Sequence, residues 1–504
     1  MKKLFCATYV GIDAKVIDVE ATLTKGLPSF SVVGSLSSSM SGDLKERVKS
    51  ALLTNEFKFP PKRISISLSP SDIPNKTGSH FDLSIALLIL LNSSDASLDE
   101  WFVFGELGLD GRVKENVYLY PLILSLANQK LIKKAIVPFD ALEKLGNIPD
   151  VAFYGVKSLN EAFELLQHQD NAAANVLQKG IEYPSYEIKD EKYYYMKEYD
   201  EDFIDVKGQE VAKRAALIAV SGFHNILYEG SPGCGKSMIA SRMQYILPPM
   251  TSSEILDGAK LNVLDDKEPL FAPRRTFRAV HCTSSSASVF GGGSFKAKIG
   301  EVGLAHNGIL FFDELPHFSK SVLESMREPM QDDKIRVSRV NSKIEYPAKF
   351  LFIGAMNPCP CGNLLNAAKE CRCSDVEIQR YKNKLSDPFL DRIDMNVTMQ
   401  SVSISDKPSL SSKEMHKKVV ESHIFMKKRG QKDFNAKLSD KEIEKYCILH
   451  DEAKLVLDIA INRFSLSFRS IKKVQKVART IADLEQEEVI QKHHLLEALS
   501  FRKR

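Results

Sequence analysis

The stretch "NILYEGSPGCGKSMIASRM", Asn225–Met243, decides the fold. An apolar run leads into Gly230-x4-Gly235-Lys236-Ser237, and helical spacing follows. The chemistry needs each part. Glycines let backbone N–H groups close around phosphate oxygens. The helix N-terminus adds the positive end of its dipole. Lys236 can then reach the β- and γ-phosphates, and Ser237 offers a hydroxyl to magnesium. Gly230, Ser231, Pro232, Gly233, Cys234, Gly235, Lys236 and Ser237 are therefore the expected nucleotide-binding loop, with Cys234 filling a small position.

Such a loop binds nucleotide, but hydrolysis needs a carboxylate on a second strand. "HNGILFFDELPHF" (His306–Phe318) supplies Asp313 and Glu314 at the end of an apolar run. Asp313 is placed to hold magnesium and Glu314 to polarise the attacking water. A third apolar run, in "AKFLFIGAMNPCPCG" (Ala348–Gly362), ends in Asn357, whose amide can orient that water or touch the γ-phosphate. Farther on, "LSDPFLDRIDMNV" (Leu385–Val397) sets Arg392 beside two aspartates, as a catalytic cation or as a local salt bridge. From Phe203 to about Ser401 helix and strand signals alternate, which predicts an α/β domain with a parallel sheet.

The rest of the chain sorts around this block. At 504 residues two or three domains are expected. The hydrophobic fraction of 43% and the charged fraction of 27% are those of a soluble globular protein. The longest apolar run, Leu83–Leu91, is too short to span a membrane, and the N-terminus lacks a signal peptide's apolar core. A cytoplasmic protein is expected. Residues 1–169 mix short strands and helices, and "FVFGELGLDGRV" reads as a hairpin turning at Asp-Gly. Residues 170–202 are polar and tyrosine-rich and read as a linker. Residues 203–401 form the ATPase core, and 402–504 read as nearly all helix. The formal net charge of +4 is too small to identify a polyanion partner.

Four of the eight cysteines fall between Ala355 and Asp375, as Cys359/Cys361 and Cys371/Cys373. Two such pairs could complete a tetrahedral zinc site within an insert spanning 359–373. Reduced or redox-labile thiols and a disulfide are the other readings, and a disulfide is the least expected in a cytoplasmic chain.

The order of phosphate loop, Asp-Glu, Asn, "LDRID" and "SFRSIKKVQKVARTIADLE" resembles an AAA+ ATPase of the magnesium-chelatase-like branch. More narrowly it resembles the ComM/YifB family, through "DVKGQEVAKRAALIAVSGFHNILYEGSPGCGKS", "GEVGLAHNGILFFDEL", "AMNPCPCG" and "ARTIADL". That resemblance implies an α/β protein with an N-terminal Lon/S5-like α+β domain, an AAA+ P-loop domain and a C-terminal helical lid. It makes Asn357 the sensor-1 residue, Arg392 the arginine finger and Arg469 the sensor-2 residue, and it sets Gln209 near the nucleotide base. It further implies a homohexamer with ATP and Mg2+ between subunits, and DNA branch migration during natural transformation.

The Lon likeness rests on "SPSDIPNKTGSHFDLSIALLIL" and "FGELGLDGRVKENVYLYP". Lon peptidases use a Ser–Lys pair. Here Phe81-Asp82 alters the serine segment, and no lysine lies between Lys114 and Lys130, which opposes proteolysis. Ser79 reads as a helix cap. Two segments are expected to face DNA: "ASVFGGGSFKAKIGEVG", with Lys296 and Lys298, and a hairpin in "IRVSRVNSKIEYPAKF", with Arg339 and Lys343. These side chains could neutralise phosphates without reading sequence. The basic run Arg469, Lys472, Lys473, Lys476, Arg479 puts Arg469 toward ATP and leaves the others as a solvated helix face. The alternative to a DNA motor is a protein-remodelling ATPase of the magnesium-chelatase type.

Overall fold

Five apolar runs build the sheet that carries the nucleotide motif: β1 (Ile226–Gly230), β2 (Phe277–Val280), β3 (Ile309–Phe312), β4 (Leu351–Met356) and β5 (Met395–Met399). They lie in the order β5-β1-β4-β3-β2, and every pairing is parallel. All residues of β3 and β4 are buried. A parallel sheet covered on both faces needs such unbroken apolar strands at its centre, which is why β3 and β4 do not alternate, whereas the edge strand β5 does. The registers Phe312↔Gly354 and Glu229↔Met356 bring the C-terminal ends of β3, β4 and β1 side by side.

The structure is a computed structural model. It describes all residues except 1, 11–12, 35–37, 74–75, 77, 93, 95, 117, 169–174, 178, 293–297, 339–342, 367–368, 401–406, 465–466 and 503–504. The side chains of 38–41, 175, 338, 343–344 and 464 also lie outside the description. The chain divides into two units: Met1–Glu182 with Ser252–Ala272, and Tyr183–Thr251 with Pro273–Arg504.

The second unit holds the parallel sheet and the C-terminal helices Ser412–Lys428, Asp440–Tyr446, Asp451–Phe464, Phe468–Leu484 and Lys492–Ser500. Sheet and helices share one core: Ile226, Ile353 and Val397 belong to the same cluster as Val419, Val477 and Ile481. The ion pair Lys473–Asp394, at 2.9 Å, ties the Phe468–Leu484 helix to the start of β5. The basic run on that helix is therefore not simply a solvated face. Arg479 is buried and bonds Asp483 and the carbonyls of Glu487 and Glu488. Lys472 pairs with Asp440 at 2.6 Å, and Lys476 donates to the Ala436 carbonyl at 3.0 Å.

The first unit is built on an eight-stranded mixed sheet running from Asn175–Leu177 at one edge to Ser29–Val33 at the other. Helix Asp82–Leu91 has nine buried residues, which accounts for its apolar character all round. Its first residue, Asp82, is fully buried and paired with Arg47 at 2.7 Å. Burial nevertheless pushes its carboxyl up to about 6. The hairpin Glu106–Leu107 with Val113–Lys114 forms as expected. Ser79 is not a cap: Gly78 occupies the cap position of the turn Ser79–Phe81, and the Ser79 hydroxyl bonds Glu106, with Asn116 donating to it at 3.4 Å.

Two segments differ from the expected boundaries. Helix Ser252–Leu264 lies between ATPase strands in sequence but packs in the first unit, where Leu256, Ala259 and Val263 join the core and Lys260 pairs with Asp13 at 2.9 Å. Within the expected linker, Asn175–Leu177 pairs with Ala152–Val156. Ser185–Ile188 and Glu191–Tyr194 form a hairpin in the second unit. Tyr186 and Tyr193 of that hairpin pack their rings against His423, so the tyrosines seal a core. Among the described residues no helix is long and apolar enough to cross a membrane.

Candidate nucleotide site

The loop after β1 folds as the glycine spacing requires. Gly233 and Gly235 sit at φ +79° and +93°, in the left-handed region that favours glycine. Helix Lys236–Met243 starts directly after Gly235. Lys236 is 9% exposed, and its ammonium donates to the carbonyls of Gly230 at 2.6 Å and Ser231 at 3.1 Å, and to Asn357 Oδ1 at 3.1 Å. Burial lowers its pKa, opposed by Cys234, Asp313 and Glu314. The structure thus joins the loop lysine directly to the amide at the end of β4.

Ser237 Oγ donates to Asp313 Oδ2 at 2.7 Å. This pair of hard oxygen donors fits Mg2+, which prefers few protein ligands alongside water and phosphate oxygens. Asp313 Oδ1 accepts the Glu314 amide at 2.8 Å, and Glu314 is exposed at φ +51°. A non-glycine residue in that region costs roughly 1–2 kcal/mol. Here it turns the carboxylate out of the buried strand beside the loop. Gln209, at φ +58°, donates to the Cys234 carbonyl at 3.1 Å and to the Gln400 carbonyl at 2.6 Å, so it props the phosphate loop from behind.

Arg392 lies elsewhere. Its guanidinium donates to the Pro388 carbonyl and to Gln331 Oε1 at 2.8 Å. It lines a cleft with Arg469, Lys437, Lys472, Lys473 and Lys476, and no residue of the phosphate loop lines it. Burial and the neighbouring Arg469 and Arg327 lower the Arg392 pKa. Arg469 shares the Arg392 cleft, because the Phe468–Leu484 helix is pinned to β5 through Asp394.

The four clustered cysteines come together. Cys359 Sγ is 3.4 Å from Cys361 Sγ and 3.6 Å from Cys371 Sγ, and Cys361 and Cys371 are 3.7 Å apart. With Cys373, all four sulfurs lie within 4.8 Å of one another. All are free, and the separations far exceed the roughly 2.05 Å of a disulfide.

Of the expected DNA-facing residues, Lys298 is exposed in a two-residue strand paired with Gly291–Gly292. The expected hairpin forms from Lys334–Ser338 and Lys343–Pro347. Lys296, Arg339 and the Lys343 side chain lie outside the described residues.

Sequence reasoning missed three supports. Tyr381 accepts a hydrogen bond from the backbone N–H of Asn357, Lys382 pairs with Glu229 at 2.9 Å, and Asp394 accepts the backbone N–H of Asn225 at 2.9 Å. Only "LDRID" carried a signal for any of them.

A β5-β1-β4-β3-β2 sheet with this loop after β1, the acidic pair after β3, the amide after β4 and a helical lid defines an AAA+ ATPase fold of the magnesium-chelatase kind. Family profiles agree: "Magnesium chelatase, subunit ChlI" matches residues 202–407, "Subunit ChlI of Mg-chelatase" matches 19–141, and "Magnesium chelatase, subunit ChlI C-terminal" matches 409–502. The chain is 36% identical over 504 residues to competence protein ComM of Haemophilus influenzae, covering 98% of this chain and 96% of the relative. It is 35% identical to YifB of Salmonella typhimurium, over 98% of this chain and 95% of the relative. A 67 kDa magnesium-chelatase subunit of Chlorobaculum parvum is 28% identical, over 31% of this chain and 23% of the relative. The chain belongs to the ComM/YifB family of magnesium-chelatase-like AAA+ proteins.

Proposed function

We propose that this protein is a homohexameric, ATP-driven DNA motor that promotes branch migration and so integrates single-stranded DNA in natural transformation. The observation that carries the motor reading is the separation of two half-sites. Ser237 is hydrogen-bonded to Asp313 and Lys236 to Asn357, whereas Arg392 and Arg469 line a different cleft. Each subunit then offers a phosphate-binding face and an arginine face, and a ring joins one to the other. The name of the Haemophilus relative, a competence protein, supports the DNA reading.

In this reading Lys236 and the loop amides hold the phosphates, and Ser237 and Asp313 hold magnesium. The metal supplies charge neutralisation at the phosphate oxygens. Glu314 orients and polarises the attacking water, and Asn357 fixes its line of approach. Arg392, with Arg469 beside it, stabilises charge on the nucleotide of the adjacent subunit. Lys298, together with Lys296, Arg339 and Lys343, contacts DNA phosphates. Zn2+ is the proposed occupant of the four thiols, and the protein acts in the cytoplasm.

The test is the ATPase rate alone and with single-stranded, duplex and branched DNA. The motor reading expects stimulation, greatest with branched DNA. A rate indifferent to all three would instead favour a protein-remodelling ATPase.

A further inference from the structure

The thiol centre touches the ATP site by three routes. Cys359 follows Asn357 by two residues, so the chain leaving β4 enters the centre at once. Gly362, buried and at φ +78°, packs on the phosphate loop: a Cβ there would lie 2.6 Å from Pro232 Cδ. Helix Asp375–Lys382 begins two residues after Cys373 and returns Tyr381 to the backbone N–H of Asn357 and Lys382 to Glu229, the residue before Gly230.

The sulfur geometry fits one ion. Four thiolates about 2.3 Å from a zinc stand about 3.8 Å from each other. The three observed separations of 3.4, 3.6 and 3.7 Å approach that edge. Backbone amides of Asn363 and Arg372 donate to Cys361 Sγ, and the Cys373 amide donates to Cys371 Sγ. Such donors orient thiolate ligands and stabilise their charge. The segment between the cysteine pairs has little core to hold it, since Leu364 and Leu365 are 41% and 39% exposed. A small unit of this kind needs a staple.

We infer that a structural Zn2+ bound by Cys359, Cys361, Cys371 and Cys373 clamps the phosphate loop and the Asn357 strand end, so that ATP turnover depends on a second metal besides magnesium. This rests on the zinc reading above. The ion takes no part in the chemistry. It fixes Gly362 against Pro232 and Tyr381 against Asn357, and through Asn357 it fixes the Lys236 ammonium.

The test uses the full chain, purified reduced and without chelators, with saturating magnesium and no DNA. Zinc content, the affinity for a fluorescent ATP analogue, and kcat and KM are measured for three variants. Intact protein should carry one zinc per chain, and Cys371→His, which keeps four ligands, should retain it. Cys371→Ser/Cys373→Ser should lose the zinc and, with the helix content of the second unit retained, lose on the order of tenfold in kcat. Gly362→Ala should keep its zinc yet bind the analogue on the order of tenfold more weakly. Zinc-bound intact protein, with unchanged ATP binding and turnover in both Gly362→Ala and the zinc-free double variant, would overturn the clamp while leaving the zinc site standing. Intact protein without zinc would overturn both.

Discussion

Lys236 and Glu314 do opposite things to their own backbone. Lys236 folds onto the carbonyls of its loop and onto Asn357. Glu314 sits in a strained left-handed conformation that points its carboxylate outward. Lys236→Ala removes a charge-assisted hydrogen bond of about 1.5–3 kcal/mol, so ATP affinity should fall on the order of 10- to 100-fold. Glu314→Gln leaves Ser237 and Asp313 in place and should bind ATP normally while kcat falls on the order of 100-fold or more. Equilibrium binding and single-turnover hydrolysis separate the two, and a Glu314→Gln protein with normal turnover would exclude the water-polarising role. The loop, Asp313–Glu314 and Asn357 were legible in the sequence because each is a polar residue ending an apolar strand. The sharing of one cleft by Arg392 and Arg469 was not, since it depends on Asp394 drawing Lys473, one turn further along the helix, to β5.

At the scale of elements, the buried histidines make the second unit acid-sensitive. His416, on helix Ser412–Lys428, is 4% exposed, meets Tyr199 at 3.0 Å, and is pushed down to about 4 by burial. His423 on the same helix is also held well below its ordinary value by burial, with Lys427 and Arg275 adding to the effect. Their folded pKa values lie below the unfolded value, so the unfolded chain binds more protons. Stability is then full above about pH 6.5 and lost as pH falls toward 4, by up to about 3 kcal/mol for His416. In the first unit His80, also lowered to about 4, acts in the same sense. Asp82 and Asp257 there are raised to about 6, and that favours the folded state as pH falls through the same window. The opposing signs partly cancel in the first unit only. Hydrogen exchange, corrected for intrinsic rates, should show helix Ser412–Lys428 losing protection between pH 7 and pH 5 before helix Asp82–Leu91 does; equal loss would refute this balance. The pattern of these helices was visible as 3.6-residue spacing. That Ser252–Leu264 leaves the ATPase unit was not, because an amphipathic helix does not say which sheet covers it. Likewise Ser185–Tyr194 has no apolar run, and only its tyrosines against His423 give it a core.

At the scale of the whole molecule, the proposed ring makes each ATP site belong to two chains. Arg392→Ala protein mixed with Lys236→Ala protein should regain ATPase activity, because some interfaces then pair an intact loop with an intact arginine. Failure in every mixture, with mixed rings verified by native mass spectrometry, would argue against a shared site. The central claim is that hydrolysis drives DNA branch migration. Its most direct test is strand exchange on a labelled four-stranded junction with ATP and magnesium, comparing intact protein, Glu314→Gln and Arg339→Ala/Lys343→Ala. Exchange by the intact protein, none by Glu314→Gln, and little by the double variant despite preserved basal ATP hydrolysis is the predicted result. An intact protein that hydrolyses ATP yet neither binds the junction at low salt nor moves its branch point would contradict it.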